Sequence, residues 1–302
     1  MSLHYTMVQL VIMAQDKYSA LWISHSRIND FKTCPRAYYL KYKYKDPKTG
    51  HKVKIMTPPL ALGQIVHEVL DSLTSLPLKE RFKQSLVIKL HELWTKIEGK
   101  KGGFMDSSIE LQYKTRGEEM LLRLMKNPGP LAKLAVKMKM DLPYFWLSEE
   151  KNIILCGKID WMEYLPDIDS VHIIDFKTSK KEEENDSLQL PIYYLLAKNC
   201  QLRHVAKMSY WYLERENGII EKELPSEETV SQQVMNAALE IQLATKLELF
   251  KCKQSEGECY SCKPYEALLK GEGEFIGVGN YKEDIYILES ASNGDSKESE
   301  IL

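Results

Sequence analysis

Two neighbouring apolar runs, residues 153–164 and 171–180, constrain this chain more than any other feature. Both are rich in β-branched residues, and both read as strands. Yet they carry charges. Asp160 closes Gly157-Lys158-Ile159-Asp160, and Asp175 and Lys177 lie in Ile174-Asp175-Phe176-Lys177. Side chains two apart on a strand share a face, so Asp175 and Lys177 project together. Residues 165–170, with Pro166 and three polar neighbours, form a turn. The strands should therefore pair as a hairpin and leave Asp160 beside Asp175. A charge in a strand ordinarily marks its solvated side. Here the charges interrupt runs that otherwise look buried, and buried charge is costly unless it is paired or bound to metal. Two carboxylates and an ammonium on one face suit a divalent cation and an activated water.

The rest of the composition sets bounds. A chain of 302 residues makes one large domain or two small ones. Its net charge of −2 gives no global attraction to polyanions, so a local basic surface must carry any such role. No run reaches the roughly 18 apolar residues of a membrane helix, so no membrane partner is expected. Residues 7–14 are apolar but lack the flanks of a signal peptide. The expected compartment is the cytoplasm, where the six cysteines would be reduced or metal-bound.

Along the chain, residues 1–22 show no clear period and read as a lead-in. Ser24 or Ser26 caps a helix over 27–31, and a second helix follows Cys34-Pro35. The tract 41–54 holds six lysines interleaved with Tyr42 and Tyr44. Residues 62–73 form an amphipathic helix with His67 on its flank. Helical patterns at 79–97 and 108–126 suggest a helical insertion at about 75–135. Strands are expected at 141–147, 153–164 and 171–178, a loop at 180–185, and a helix at 188–199 with Pro191 in its first turn. Strands at 204–213 and 218–224 and a helix at 226–249 complete a single domain spanning 23–290, and 291–302 reads as a disordered tail. That order implies a mixed sheet with helices on both faces.

Three features accompany the charged strands. His67 closes Gly63-Gln64-Ile65-Val66-His67, and neutral imidazole is a common metal ligand. Gln189 and Tyr193 share a face of the helix after the second strand. Residues 24–39 are dense in aromatic and basic side chains and could pack or cover a polyanion path. Taken in order, the motifs are Ser-x-x-x-x-Phe-x-x-Cys-Pro-Arg-x-Tyr at 26–38, Gly-x-x-x-His at 63–67, Gly-x-x-Asp at 157–160, Asp-x-Lys at 175–177 and Gln-x-x-x-Tyr at 189–193. Each is short, but the ordered set resembles the PD-(D/E)xK nuclease superfamily, and within it the RecB-type exonuclease domains.

The resemblance implies an α/β restriction-endonuclease-like core, with a central mixed β-sheet flanked by helices. His67, Asp160, Asp175 and the backbone carbonyl of Phe176 would then hold Mg²⁺ or Mn²⁺. Lys177 would orient or activate water, and Gln189 and Tyr193 would support it. The implied activity is phosphodiester hydrolysis on DNA, single-stranded or at duplex ends, in repair or recombination. The alternative is a DNA-binding accessory module of the same fold. The chain has no Gly-x-x-x-x-Gly-Lys-Ser/Thr motif, so unwinding would need a helicase or recombination partner.

Some relatives of this type hold a [4Fe–4S] cluster through one upstream cysteine and a downstream Cys-x₂-Cys-x₅-Cys. Cys259-x-x-Cys262 fits the pair, but Leu268 stands where the last cysteine belongs, and Cys252 precedes the pair instead. Cys34, Cys252, Cys259 and Cys262 could still supply four ligands to a cluster or to Zn²⁺. Cys156 and Cys200 lie in apolar patterns and read as core residues. Arg36, Tyr39, Lys43 and Lys45 are the candidate nucleic-acid surface, on the strength of basic residues alternating with aromatic ones.

Overall fold

A computed structural model describes residues 16–254 and 259–289. The lead-in before residue 16 and the tail 291–302 lie outside the described residues. In chain order the elements are β1 Leu21–Ile23, α1 His25–Thr33, α2 Pro35–Tyr42, β2 Lys52–Ile55, α3 Pro58–Leu73, α4 Leu86–Trp94 and α5 Ser107–Lys126. Next come β3 Tyr144–Ser148, β4 Ile153–Cys156, β5 Trp161–Leu165, β6 Ser170–Lys177, α6 Gln189–Cys200, β7 His204–Tyr212 and β8 Ile219–Lys222. The last are α7 Glu227–Lys246, α8 Lys263–Leu269, β9 Glu274–Val278 and β10 Glu283–Ile287.

The expected mixed sheet is present, in the strand order β5-β6-β7-β8. β5 and β6 form the hairpin, registered from Trp161↔Ile174 to Leu165↔Ser170. β6 runs parallel to β7, with α6 as the connection, and β8 returns antiparallel. The 2.0-residue period of β6 divides its side chains between two cores. Ile174 and Phe176 join Trp161 and Trp211 against Leu62, Val66 and Val69 of α3 and Met120 and Leu121 of α5. Val171 and Ile173 face Leu190 and Ala197 of α6. α7 then covers the outer side of α6 through Val230, Val234 and Ala238. Helices thus lie on both faces, and the sheet interior is the rigid support for Asp175 and Lys177.

Two smaller sheets complete the architecture. β1 pairs parallel with β4, and β3 antiparallel with β4. β2 pairs parallel with β10, and β9 antiparallel with β10. The run 153–164 is accordingly not one strand. β4 and β5 belong to different sheets, and residues 157–160 cross between them. Gly157 permits the crossing: a β-carbon there would stand 2.9 Å from Leu196 Cδ1 on α6. The expected helix 79–97 is also divided, into a short 3₁₀ turn at Leu78–Glu80 and α4. Between them the buried Arg81 turns inward, donates to the Leu131 and Lys133 carbonyls and stacks over Trp161. Those bonds fix a bend that helical periodicity does not register.

Polar residues inside the main sheet are matched with one another. His172 lies 3.0 Å from Glu163 Oε2 and 2.8 Å from Ser209 Oγ, and Lys133 caps Glu163 at 2.7 Å. Ser209 is fully buried, so this row braces three strands rather than meeting a substrate. Among the described residues no helix is long and apolar enough to cross a membrane.

Ile174 is fully buried between the sheet and α3, whereas Leu122 on α5 is 56% exposed. Urea unfolding should show a loss of about 2–5 kcal/mol for Ile174→Ala. The change for Leu122→Ala should stay within about 0.5 kcal/mol. Equal effects would contradict this placement of the core.

Candidate active site

The site is assembled where β5 stops. The β5–β6 ladder ends at Trp161↔Ile174, so the edge of Phe176 on that side has no strand partner. The crossing segment 157–160 fills the position. Asp160 Oδ2 accepts the Phe176 backbone N–H at 2.9 Å. The N–H and C=O of one strand residue face the same neighbour, so the Phe176 carbonyl also points to this gap. Asp160 is thereby held beside the strand that carries Asp175 and Lys177.

α3 supplies the second wall. His67 Nδ1 lies 3.3 Å from Asp160 Oδ1, and its ring meets the Phe176 ring edge-on. Burial opposes the charged imidazole, but the Asp160 carboxylate outweighs it and holds His67 above its ordinary pKa. His67, Gln64, Asp160 and Phe176 line an open cleft of about 330 Å³.

α6 supplies the third. Pro191 sits in its first turn, as expected, and Gln189 and Tyr193 lie one turn apart facing the sheet. Gln189 Nε2 donates to Asp175 Oδ1 at 2.8 Å, while Gln189 Oε1 accepts from Lys177. The Tyr193 hydroxyl is 3.4 Å from the same amide nitrogen. One amide thus reads both charged side chains of β6. Asp175 is buried, and burial followed by repulsion from Asp160 pushes its carboxyl up to about 7. Lys177 Nζ stands 3.1 Å from Asp175 Oδ2 as an ion pair.

Two neighbours of Lys177 were not among the expected site residues. Glu183 Oε1 lies 2.9 Å from Lys177 Nζ, and the Glu183 amide donates to Tyr212 OH. The loop 180–185 looks in sequence like a solvated charge run, and nothing in three consecutive glutamates says which one turns inward. His25, at the start of α1, is pressed down to about 4 by burial and then by the Lys177 charge.

A second cluster lies at the far end of α2. Cys34 ends α1 and caps α2, where its sulfur accepts from the Ala37 amide. Cys262 precedes α8 as its N-terminal flanking residue. The ligand atoms of Cys34, Cys252, Cys259 and Cys262 all lie within 4.8 Å of one another. Cys252 Sγ is 3.7 Å from both Cys34 Sγ and Cys262 Sγ. The unexpected position of Cys252 before the pair therefore does not prevent convergence, and the four sulfurs could bind a metal. Cys156 and Cys200 lie apart, with their thiols directed at the Ile23 and Tyr144 carbonyls. Of the candidate nucleic-acid residues, Arg36 lies over the Tyr39 ring at 5.6 Å. Arg36 is paired with Glu266 at 2.6 Å, and Tyr39 lies against Phe250.

A family model described as the PD-(D/E)XK nuclease superfamily matches residues 22–267. Over 188 residues the chain is 28% identical to an ATP-dependent helicase/deoxyribonuclease subunit from Clostridium novyi (strain NT). That stretch covers 54% of this chain and 16% of the relative, so the chain spans a small part of that protein's length.

The raised Asp175 carboxyl has a measurable consequence in metal-free protein. Folded Asp175 holds its proton up to about 7, against an ordinary value of 3.8. Its contribution to stability is complete below that ordinary value and is lost as pH rises through about 7. Thermal unfolding in chelator should show stability falling across this window, and Asp175→Asn should flatten the fall. Identical pH profiles for the two proteins would refute the assignment.

Proposed function

The chain belongs to the PD-(D/E)XK nuclease superfamily, and from that premise we propose that it is a metal-dependent deoxyribonuclease hydrolysing phosphodiester bonds. The observation that carries the reading is two carboxylates held close enough to oppose each other's charge: repulsion from Asp160 helps to raise the buried Asp175, and the Oδ1 of Asp160 lies 3.3 Å from His67 Nδ1. Two carboxylates in mutual repulsion at a buried site are costly unless they share a cation. An oxygen-rich set with one imidazole suits Mg²⁺ or Mn²⁺. Asp160, Asp175, His67 and the Phe176 carbonyl would hold the ion. Bound there, it would neutralise charge on the phosphoryl group and lower the pKa of an attacking water.

The chain's own groups have distinct tasks in this reading. Gln189 fixes the Asp175 carboxylate through its Oδ1 and the Lys177 ammonium through its own carbonyl. Lys177 stays charged: burial opposes the ammonium, but Asp175 and Glu183 outweigh it. A charged Lys177 stabilises the phosphoryl group in the transition state and does not act as the base. The Tyr193 hydroxyl, 3.4 Å from the Gln189 amide nitrogen, helps to hold that amide in place.

The name of the Clostridium relative supports DNA as substrate and a helicase as partner. An exonuclease role in repair or recombination accords with that likeness. End-labelled single- and double-stranded DNA with Mg²⁺ or Mn²⁺ provides the assay. Asp175→Ala should lower cleavage by at least about a thousandfold, on the scale of losing a principal electrostatic group, and leave the fold intact. Salt-dependent DNA binding without cleavage by the unaltered chain would instead favour the accessory-module reading.

The four cysteines serve a structural metal in this proposal. A tetrahedral ion with bonds of about 2.3 Å separates its sulfurs by about 3.8 Å, close to the observed 3.7 Å. A [4Fe–4S] cluster would require the sulfurs to spread. Metal analysis and visible absorbance of anaerobically purified protein separate Zn²⁺ from iron. Cys252→Ser should lose most of the bound metal and lower the melting temperature, and an unchanged metal content would exclude the site.

A further inference from the structure

A cleft of about 820 Å³ opens between α1, α2, β2 and the start of α8. Its cations are Arg27, Lys41, Lys52 and Lys54, and its carboxylates are Asp30 and Glu283. Asp30 is already engaged by Lys41 at 2.9 Å and by the Tyr42 hydroxyl at 2.7 Å. Arg27 lies over the Tyr42 ring at 5.2 Å. On β2, alternation sends Val53 and Ile55 into the core around Cys34 and leaves Lys52 and Lys54 partly open. Among the described residues neither lysine is joined to a carboxylate in an ion pair. Burial, then Arg27 and Lys45, hold the Lys52 ammonium below its ordinary pKa, with Glu283 opposing them.

Beside these lysines stand two rings left in water, Tyr260 at 75% exposure and Tyr281 at 88%. Basic side chains alternating with open aromatic faces form a stacking platform for unpaired bases. A duplex hides those base faces, so the arrangement selects a single strand. Tyr260 lies between Cys259 and Cys262, so the cysteine cluster anchors this wall of the cleft.

α3 runs from this cleft to the carboxylates. Thr57 and Leu60 line it, and Gln64, His67 and Asp71 line the smaller cleft that contains Asp160. Leu60, Gln64, His67 and Asp71 follow helical spacing and share one face. At 1.5 Å per residue, Leu60 and His67 are about 10 Å apart along the axis. The neighbouring cleft under His25 offers no rival route: Glu182, Glu183, Glu184 and Asp186 outnumber Lys32 and Lys181 there and would repel a polyanion.

We propose that single-stranded DNA enters through the cleft of Lys52, Lys54, Tyr260 and Tyr281 and follows the exposed face of α3 to Asp160 and Asp175. The route rests on the nuclease reading for its direction, and on its own residues for binding.

The test measures binding of fluorescent oligothymidylate by the full chain carrying Asp175→Ala, across a salt series. Adding Lys52→Glu and Lys54→Glu should weaken binding at least tenfold at low salt. The slope of log affinity against log salt should shrink by about 1.4, for two contacts at about 0.7 each. Lys151→Glu with Lys246→Glu, both exposed and remote on the α7 side, should bind like the parent. Full binding by the Lys52/Lys54 variant, or equal loss in the remote pair, would overturn the route. So would equal competition by a blunt duplex. If the Lys52/Lys54 variant fails to fold, photo-cross-linking of 5-iodouracil oligonucleotides to the unaltered chain decides. Adducts at Tyr260 or Tyr281 support the route, and adducts confined to α4 and α5 refute it. Lost binding in the variant with no cleavage by the unaltered chain keeps the cleft and removes the nuclease reading. Cleavage with full binding by the variant does the reverse.

Discussion

The hydrogen bond from the Phe176 amide to Asp160 holds the site together. It occupies the strand edge that β5 leaves open and joins the crossing segment 157–160 to β6. A buried backbone donor left unmet costs about 1–3 kcal/mol, so the bond also satisfies the sheet. Because Asp160 meets that demand with one oxygen, the other faces His67 on α3. Three elements far apart in sequence thus converge through one carboxylate.

Asp175 shows the opposite arrangement. It is buried and held by a glutamine and a lysine that also hold each other. Breaking such a network leaves an unpaired buried charge, whose cost exceeds that of losing a surface pair. The hydrophobic faces of β6 make this tolerable, since Ile174 and Phe176 lock the strand against α3 while Ile173 seats it on α6. The cysteine cluster plays a comparable part at the other end. It ties the turn between α1 and α2 to the segment before α8, across more than two hundred residues.

Much of this was legible locally. Ser24 caps α1 as expected. The hairpin, the Pro191 helix start and the shared face of Gln189 and Tyr193 all follow from short-range rules. The short strands β1, β2, β9 and β10 were not legible. β1 pairs with β4 and β2 with β10, each across a long stretch of chain, and strands of three to five residues carry too few residues to show a clear period. The break between β4 and β5 was hidden for a related reason: residues 157–160 look like strand until a second sheet draws β4 away.

The sequence by itself determined which chemical groups exist and which pairs share a face. The alternation of β6 places Asp175 with Lys177, and the turn at 165–170 brings Asp160 near them. Periodicity and turn chemistry act over a few residues, so such relations survive without knowledge of the fold. Only the tertiary structure decided that Glu183 and His25 surround Lys177. It alone brought a misplaced Cys252 into register with three other sulfurs. It also paired Arg36 with Glu266 and set Lys52 and Lys54 in one cleft with two exposed tyrosines. Those outcomes depend on how separate elements pack, and packing is set by shape and burial across the whole chain rather than by neighbours in sequence.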